Sequence, residues 1–577
     1  MTSSQNRGAR AEPLSARGSE PTPSHRTRSL RPWLGLLLLL ALLTAPPAAG
    51  ASSGPEVEAV REALYGALLT LADTQVLDRE GRRPCRWDAS DLGDGCRSQL
   101  GLTHPRSLRA SYFPLGGSLA ISNQVGEWGS IYMPLPTLLP PRRSWMFSVP
   151  DSNLFIPGMV LYSLLRVYGH GQESRTRALV AAMLRAAEGL EAAYARGGAL
   201  AFWGPDPGAP QQIAPPNTPI GLVRRLAQLY AKHGDSWLAR RLIGERRLPS
   251  SPAWIEACLS LEQNPSGAGA LFNIPADADD SALTVANQIL MVRNDLSKQE
   301  ATSPIPELIL RHRDLGPRPP VEDPRESWPK QPTGAYLTWL VDDWQPTFGH
   351  PSSGVIPLGR NFVDPVVNAN VLLMFGLLEQ AQAPGVDRAV ALLNQLMEGP
   401  EGLRSSLYYP EEMMVAYAIS RAFREGGHPG LKPATQHALR RALEGQATLA
   451  GGEPRNRGAF PSVLDPRPDF ATALGAITLL NAGPEVARGA GISEAAYWRS
   501  LDEAIAYLLR AKKPHRLKNP ETARWRRSRD EAAYRWLPGL AFSATYWDGA
   551  HWRSEAVTTA LVAEALAKYL AQRGETY

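Results

Sequence analysis

Cysteine is nearly absent from this chain, with three in 577 residues, at positions 85, 96 and 258. No cysteine–histidine spacing among them fits a zinc site, which removes the commonest structural-metal reading. Cys85 and Cys96 bracket the polar loop CRWDASDLGDGC. A disulfide between them would pin a stretch poor in packing in an oxidising compartment. Cys258 lies in a helical pattern and reads as a small buried apolar residue.

Long hydrophobic runs are scarce too. The one that stands out, Trp33 to Ala45, is short of the roughly 20 residues that span a bilayer as a helix. An arginine-bearing flank precedes it and small residues ending at Ala49–Ala51 come after it, the layout of a secretory signal. The expectation is export to a periplasmic or extracellular compartment, with a membrane anchor at 33–45 as the alternative. Charge of one sign is also lacking. The formal net charge is +5, and residues 1–32 carry six arginines against Glu12 and Glu20. The chain beyond the leader is close to neutral, which excludes a nucleic-acid-binding composition.

The chain is rich in apolar helical periodicity, almost everywhere beyond residue 150. A unit recurs: a Pro/Gly/aromatic stretch, a capping residue, then an apolar helix rich in small residues. Six such helices start near Asp151, Asp279–Asp280, Asp364, Pro410, Asp469 and Ser554. Between them run one-sided, charge-bearing helices at 174–196, 220–234, 387–399, 434–446 and 493–513. Helices apolar all round belong inside and one-sided helices outside. The expectation is an all-α protein, an (α/α)6 toroid with every inner N-terminus at one end, or an open solenoid built from the same pattern. The chain then divides into a leader (1–51), a helix and loop-rich extension (52–140) and the toroid (141–577).

The densest chemical signal is FNIPADADDSALTVAN (272–287), with Asp277, Asp279 and Asp280 at the start of an apolar helix. Like charges this close raise one another's pKa. The cluster is either a proton donor or a helix cap with surplus carboxylates. Asn368 and Asn370 sit inside the apolar helix that begins at Asp364, and buried amides need partners, so they are candidates for a polar pocket. Glu411 and Glu412, just after Pro410, suit the positive end of a helix dipole. Asp342, Asp343 and His350 share a loop with Trp344 and offer a second, weaker set of acid–base groups. The basic segment 510–529 reads as a solvated linker, with an anionic lipid surface as its functional alternative.

Asp277-Ala278-Asp279-Asp280-Ser281-Ala282 resembles the D-x-D-D-T-A/S motif of class II terpene cyclases of the squalene–hopene cyclase type. The C-terminal YWDGAHWRSEAVTTALVAEAL is similar to the repeat ends of that superfamily and of its prenyltransferase relatives. Ser281 stands for the usual threonine, and no D-D-x-x-D box is present. The resemblance implies an α/α toroid and protonation-initiated cyclisation or isomerisation of a lipophilic polyene. Asp279 would be the general acid, supported by Asp277 and Asp280, and no cofactor or metal would be required. Aromatic faces would stabilise the cation; the candidates are Trp203, Phe272, Trp339, Phe348, Tyr408, Tyr409 and Trp547. The partner would be a lipophilic small molecule, drawn from a membrane surface if the protein is exported. A carbohydrate-active enzyme using paired carboxylates on the same barrel, and a non-catalytic toroid that binds a partner, are the alternatives.

Overall fold

Helices with no polar stripe must be covered on every side, and the arrangement that covers six of them at once is a ring inside a ring. The computed structural model describes residues 54–75, 126–133, 149–206, 209–213, 274–298, 304–316, 332–341, 361–450, 454–462, 465, 467–543 and 551–577. Residues 54–577 form one compact unit. Among the described residues the inner helices are α2 (Phe155–His170), α4 (Ala278–Arg293), α6 (Pro365–Leu377), α8 (Glu412–Arg424), α10 (Asp469–Gly489) and α12 (Glu555–Gln572). The outer helices are α1 (Val57–Thr74), α3 (Ser174–Ala186), α5 (Ile305–Arg311), α7 (Val386–Glu398), α9 (Lys432–Ala450) and α11 (Glu494–Ala511).

Each inner helix packs on the next, and α12 returns to pack on α2, so the ring closes and the open solenoid is ruled out. The outer helices lie against the inner ones: α1 on α12, α3 on α2, α5 on α4, α7 on α6, α9 on α8 and α10, and α11 on α10. The fold is therefore an all-α toroid. Sequence explains the division. All of α6 except Gly376 is buried, whereas α7 buries Val386, Ala389, Leu392, Leu393, Leu396 and Met397, one face at helical spacing. Val57–Thr74, grouped on sequence with the N-terminal extension, packs in the outer layer beside α12 and α3.

Four short antiparallel strands pair in the order β2-β1-β4-β3, with β1 (Ser130–Met133), β2 (Val149–Asp151), β3 (Gly539–Ser543) and β4 (His551–Ser554). Tyr132 stands opposite Trp552, and the ladder shifts register between Trp552 and Arg553, a bulge. This sheet joins the start of α2 to the start of α12.

Several details depart from the sequence reading. The helix expected over 174–196 stops at Ala186, because the chain turns at Gly189 with φ 81° and continues as a 3-10 turn, Leu190–Tyr194. The basic segment is no free linker. Lys513–His515 pairs with Ala533–Arg535, buried His515 meets Asp73 of α1 at 2.9 Å, and the backbone N–H of Asn519 donates to Asp73 at 2.7 Å. It straps α1 to the ring. The leader, Cys85, Cys96, Cys258, the helix at 220–234, Phe272, Phe348, Trp547, and Asp342, Asp343, Trp344 and His350 lie outside the described residues. No helix among the described residues is long and apolar enough to cross a membrane.

Candidate active site

Side chains cap the first turns of α4, α6 and α12 through Asp277, Asp364 and Ser554, and further acids stand near the starts of other inner helices. Most of them also hold a neighbouring segment. Asp364 caps α6 through Val366 N (2.9 Å) and accepts from Leu407 N and Ser406 Oγ, both at 2.8 Å. Asp151 takes the indole N–H of Trp552 at 2.7 Å and that of Trp203 at 3.2 Å. Asp469 accepts from Tyr507 Oη at 2.8 Å and Leu537 N at 3.1 Å. Asp364 is a cap that doubles as a staple between repeats, whereas Asp151 and Asp469 act as staples alone.

The aspartates at the start of α4 divide their roles. Asp277 is the N-cap, its Oδ1 accepting from Asp280 N at 2.7 Å. Backbone bonds fix this turn: Asp277 N donates to Leu200 O (3.1 Å), Ala278 N to Thr338 O (2.8 Å) and Leu340 N to Ala276 O (2.9 Å). Asp279 is two residues past the cap and points elsewhere. Its Oδ1 accepts from Asn370 Nδ2 of α6 and its Oδ2 from the Tyr409 hydroxyl. Asn370 is held in turn by Arg421 of α8, whose Nη2 donates to Asn370 Oδ1. Asp280 is 3% exposed, and neither carboxyl oxygen has a hydrogen-bond partner among the described residues.

Burial dominates the acid–base behaviour of all three. It lifts Asp279 to about 6, opposed by the Tyr409 and Asn370 hydrogen bonds, which favour the carboxylate. Asp277 and Asp280 are raised well above the usual range, first by burial and then by neighbouring carboxyls; backbone N–H groups oppose the shift at Asp277, and nothing opposes it at Asp280. Burial thus favours the neutral form at Asp277 and Asp280, beside an Asp279 whose conjugate base has donors waiting.

The three carboxyls border a small cavity walled by Phe155, Phe202, Trp339, Tyr408, Tyr409 and Phe542, with Thr338 and Val367 completing it. The space among these side chains is about 330 Å3, including the opening to solvent. The rings contact one another: Phe202 stacks on Phe542 at 5.3 Å between centroids, and Tyr409 meets Phe542 edge-on at 5.7 Å. Trp339 Nε1 donates to Tyr408 Oη at 3.0 Å, which fixes both rings. Among the described residues no group of acids, histidines and cysteines could hold a metal ion.

Among the sequence candidates, Asp277, Asp279, Asp280, Trp339, Tyr408 and Tyr409 meet at this cavity, and Asn370 touches it through Asp279. Two stand apart. Asn368 does not line the cavity; it binds the backbone of Tyr336 through both amide atoms, at 3.0 and 2.9 Å, pinning the 332–341 segment to α6. Trp203 binds Asp151 and supports the wall from behind, edge-on to Phe202 at 4.8 Å. Glu411 is buried and bound to Ser462 Oγ at 2.6 Å, and Glu412 pairs with Arg404 at 2.7 Å, so neither faces the site.

Sequence reasoning missed Phe155, Phe202, Phe542 and Arg421. Phe155 opens the first inner helix and Arg421 interrupts an apolar one, so both left a signal. Phe202 comes from an irregular stretch and Phe542 from the short strand β3, and neither left one.

No family model matches the chain, and no curated protein matches it. Among solved structures it is similar to a type II terpene cyclase, MstE_R337A from Scytonema, in complex with geranylgeranyl dihydroxybenzoate. That alignment covers 89% of this chain and 98% of that one, at 12% identity and a TM-score of 0.40.

Proposed function

We propose that this protein is a terpene-cyclase-like acid catalyst that protonates an alkene of a lipophilic polyene and so starts a cyclisation or isomerisation. The observation that carries the reading is the placement of Asp279 against an aromatic wall, with its carboxylate received by Asn370 and Tyr409. An alkene is a poor base, so the donor must be the strongest acid of the cluster. That is Asp279, because donors aimed at its oxygens stabilise the base left behind. Burial biases Asp277 and Asp280 toward their neutral forms, which lessens the negative charge opposing proton release. In the proposed step the Asp279 O–H bond breaks, the alkene π pair takes the proton, and a carbocation forms on the adjacent carbon. The faces of Phe155, Phe202, Trp339 and Phe542 stabilise it.

A carbohydrate-cleaving reading fits less well, since that chemistry needs two carboxyls with room for water or a sugar ring between them. All three aspartates here are at most 6% exposed. The test is lipid extraction from cells that supply polyprenes, comparing the wild-type protein with Asp279→Asn. The expected result is a new cyclised or isomerised lipid that disappears in the variant. The same lipid profile from both proteins would sink the proposal.

A further inference from the structure

The lumen of the ring is not empty below the site. In ring order α2 and α8 lie opposite one another, yet their side chains meet. The Tyr162 hydroxyl of α2 donates to Glu425 Oε2, the residue that ends α8, and Arg166 approaches Glu425 at 3.3 Å. The Arg421 guanidinium lies 4.4 Å from the centre of the Tyr162 ring and 4.6 Å from that of Tyr417. From α12, Lys568 pairs with Glu425 and with Glu564 at 3.0 Å, and donates to Asn481 of α10 at 2.7 Å. Ser163 of α2 donates to Glu564 at 2.9 Å. Contacts across the diameter leave no open bore at this level.

We infer that this charged plug is the floor of the reaction chamber, and that it limits the substrate to an uncharged apolar molecule presenting one terminal alkene unit to Asp279. The inference rests on the proposed acid catalysis and narrows its substrate class. Three observations carry it. The plug rises to the site itself, through Arg421 and Asn370 to Asp279. It holds three cations, Arg166, Arg421 and Lys568, against two anions, Glu425 and Glu564, so its surplus positive charge lies beneath the acid. A hydrocarbon chain cannot displace such a network without stranding buried charge. Above the floor, the described cavity wall offers three acids and no cation, so an anionic headgroup has no partner there.

The rest of a long chain therefore stays at or beyond the mouth. After proton transfer the cation is quenched locally. Either an adjacent carbon returns a proton to the Asp279 carboxylate and the double bond has shifted, or the next alkene of the chain closes one ring before that proton is lost.

The test uses the full-length protein and neutral prenyl alcohols of two, three, four and six isoprene units. Calorimetric affinity in mild detergent is measured for each, along with deuterium uptake in D2O buffer. Burying five further carbons would tighten binding by several hundred-fold, at about 0.8 kcal/mol per methylene. The expected result is less than about a threefold gain beyond the second unit, with deuterium confined to the terminal unit and no product of more than one ring. Affinity that climbs steeply to six units, or a polycyclic product, overturns the floor. A length plateau without any deuterium uptake keeps the floor and removes the acid catalysis.

Discussion

Tyr409→Phe is the sharpest probe of the acid, because it deletes one oxygen and leaves the ring contacts with Phe155 and Phe542 in place. The hydroxyl donates to Asp279 Oδ2. A hydrogen bond to a charged group contributes about 1.5–3 kcal/mol, and 1.36 kcal/mol corresponds to one pKa unit. Removing the donor disfavours the carboxylate, so the Asp279 midpoint moves upward from about 6 by roughly one to two units. A higher pKa means a weaker acid. If about half of that difference is expressed in the transition state, the low-pH rate falls roughly 3- to 10-fold. On the proposed mechanism, wild-type activity should rise as pH falls through about 6 and level below it. In the variant the levelling begins at higher pH and at a lower rate. Two measurements are needed: an infrared titration of the carboxyl band, with Asp279→Asn identifying it, and pH-dependent deuterium uptake. A midpoint that stays put or moves down would show that the Tyr409 hydroxyl does not hold the Asp279 charge.

Stability should fall as pH rises above about 4. Asp151 and Asp279 are lifted to about 6 and Glu411 to about 8, all by burial, so the folded state binds more protons than the unfolded one between ordinary and raised values. Each aspartate then costs about 3 kcal/mol by pH 7, and thermal melts should show a lower midpoint at pH 8.5 than at pH 5.5. Glu425 works the other way. Lys568 and Arg166 lower it to about 2, against burial, so its contribution is present above about 4.5 and lost as pH falls through about 2. Lys568→Met leaves Glu425 and Glu564 buried with one cation fewer and should destabilise by about 3–5 kcal/mol in denaturant unfolding; a loss under 1 kcal/mol would mean the plug is hydrated. Gly376→Ala should cost about 1–3 kcal/mol or prevent folding, since a Cβ there would sit 1.8 Å from the Gly426 carbonyl oxygen. A wild-type melting temperature would mean that α6 and the turn after α8 are less tightly apposed.

The ring was legible because its physics is local. A helix apolar on all sides must be enclosed, and an Asp or Ser ahead of it must cap, so Asp364, Ser554 and Asp277 announced both the staves and their common end. The crowding of Asp277, Asp279 and Asp280 was equally plain. What sequence could not separate was cap from acid, because both readings use the same residues. The structure gives the carboxyls different partners: Asp277 turns back to Asp280 N, whereas Asp279 turns across to α6 and to Tyr409. Asn368 and Asn370 show the same limit. Two residues apart on a helix they face different neighbours, and only packing decides that one pins the Tyr336 backbone while the other binds Asp279. The plug was the least legible element, since Tyr162, Arg421, Glu425, Glu564 and Lys568 are scattered over some 400 positions. Charges that far apart in the chain become one network only when the ring closes, because closure brings opposite staves within reach of a side chain.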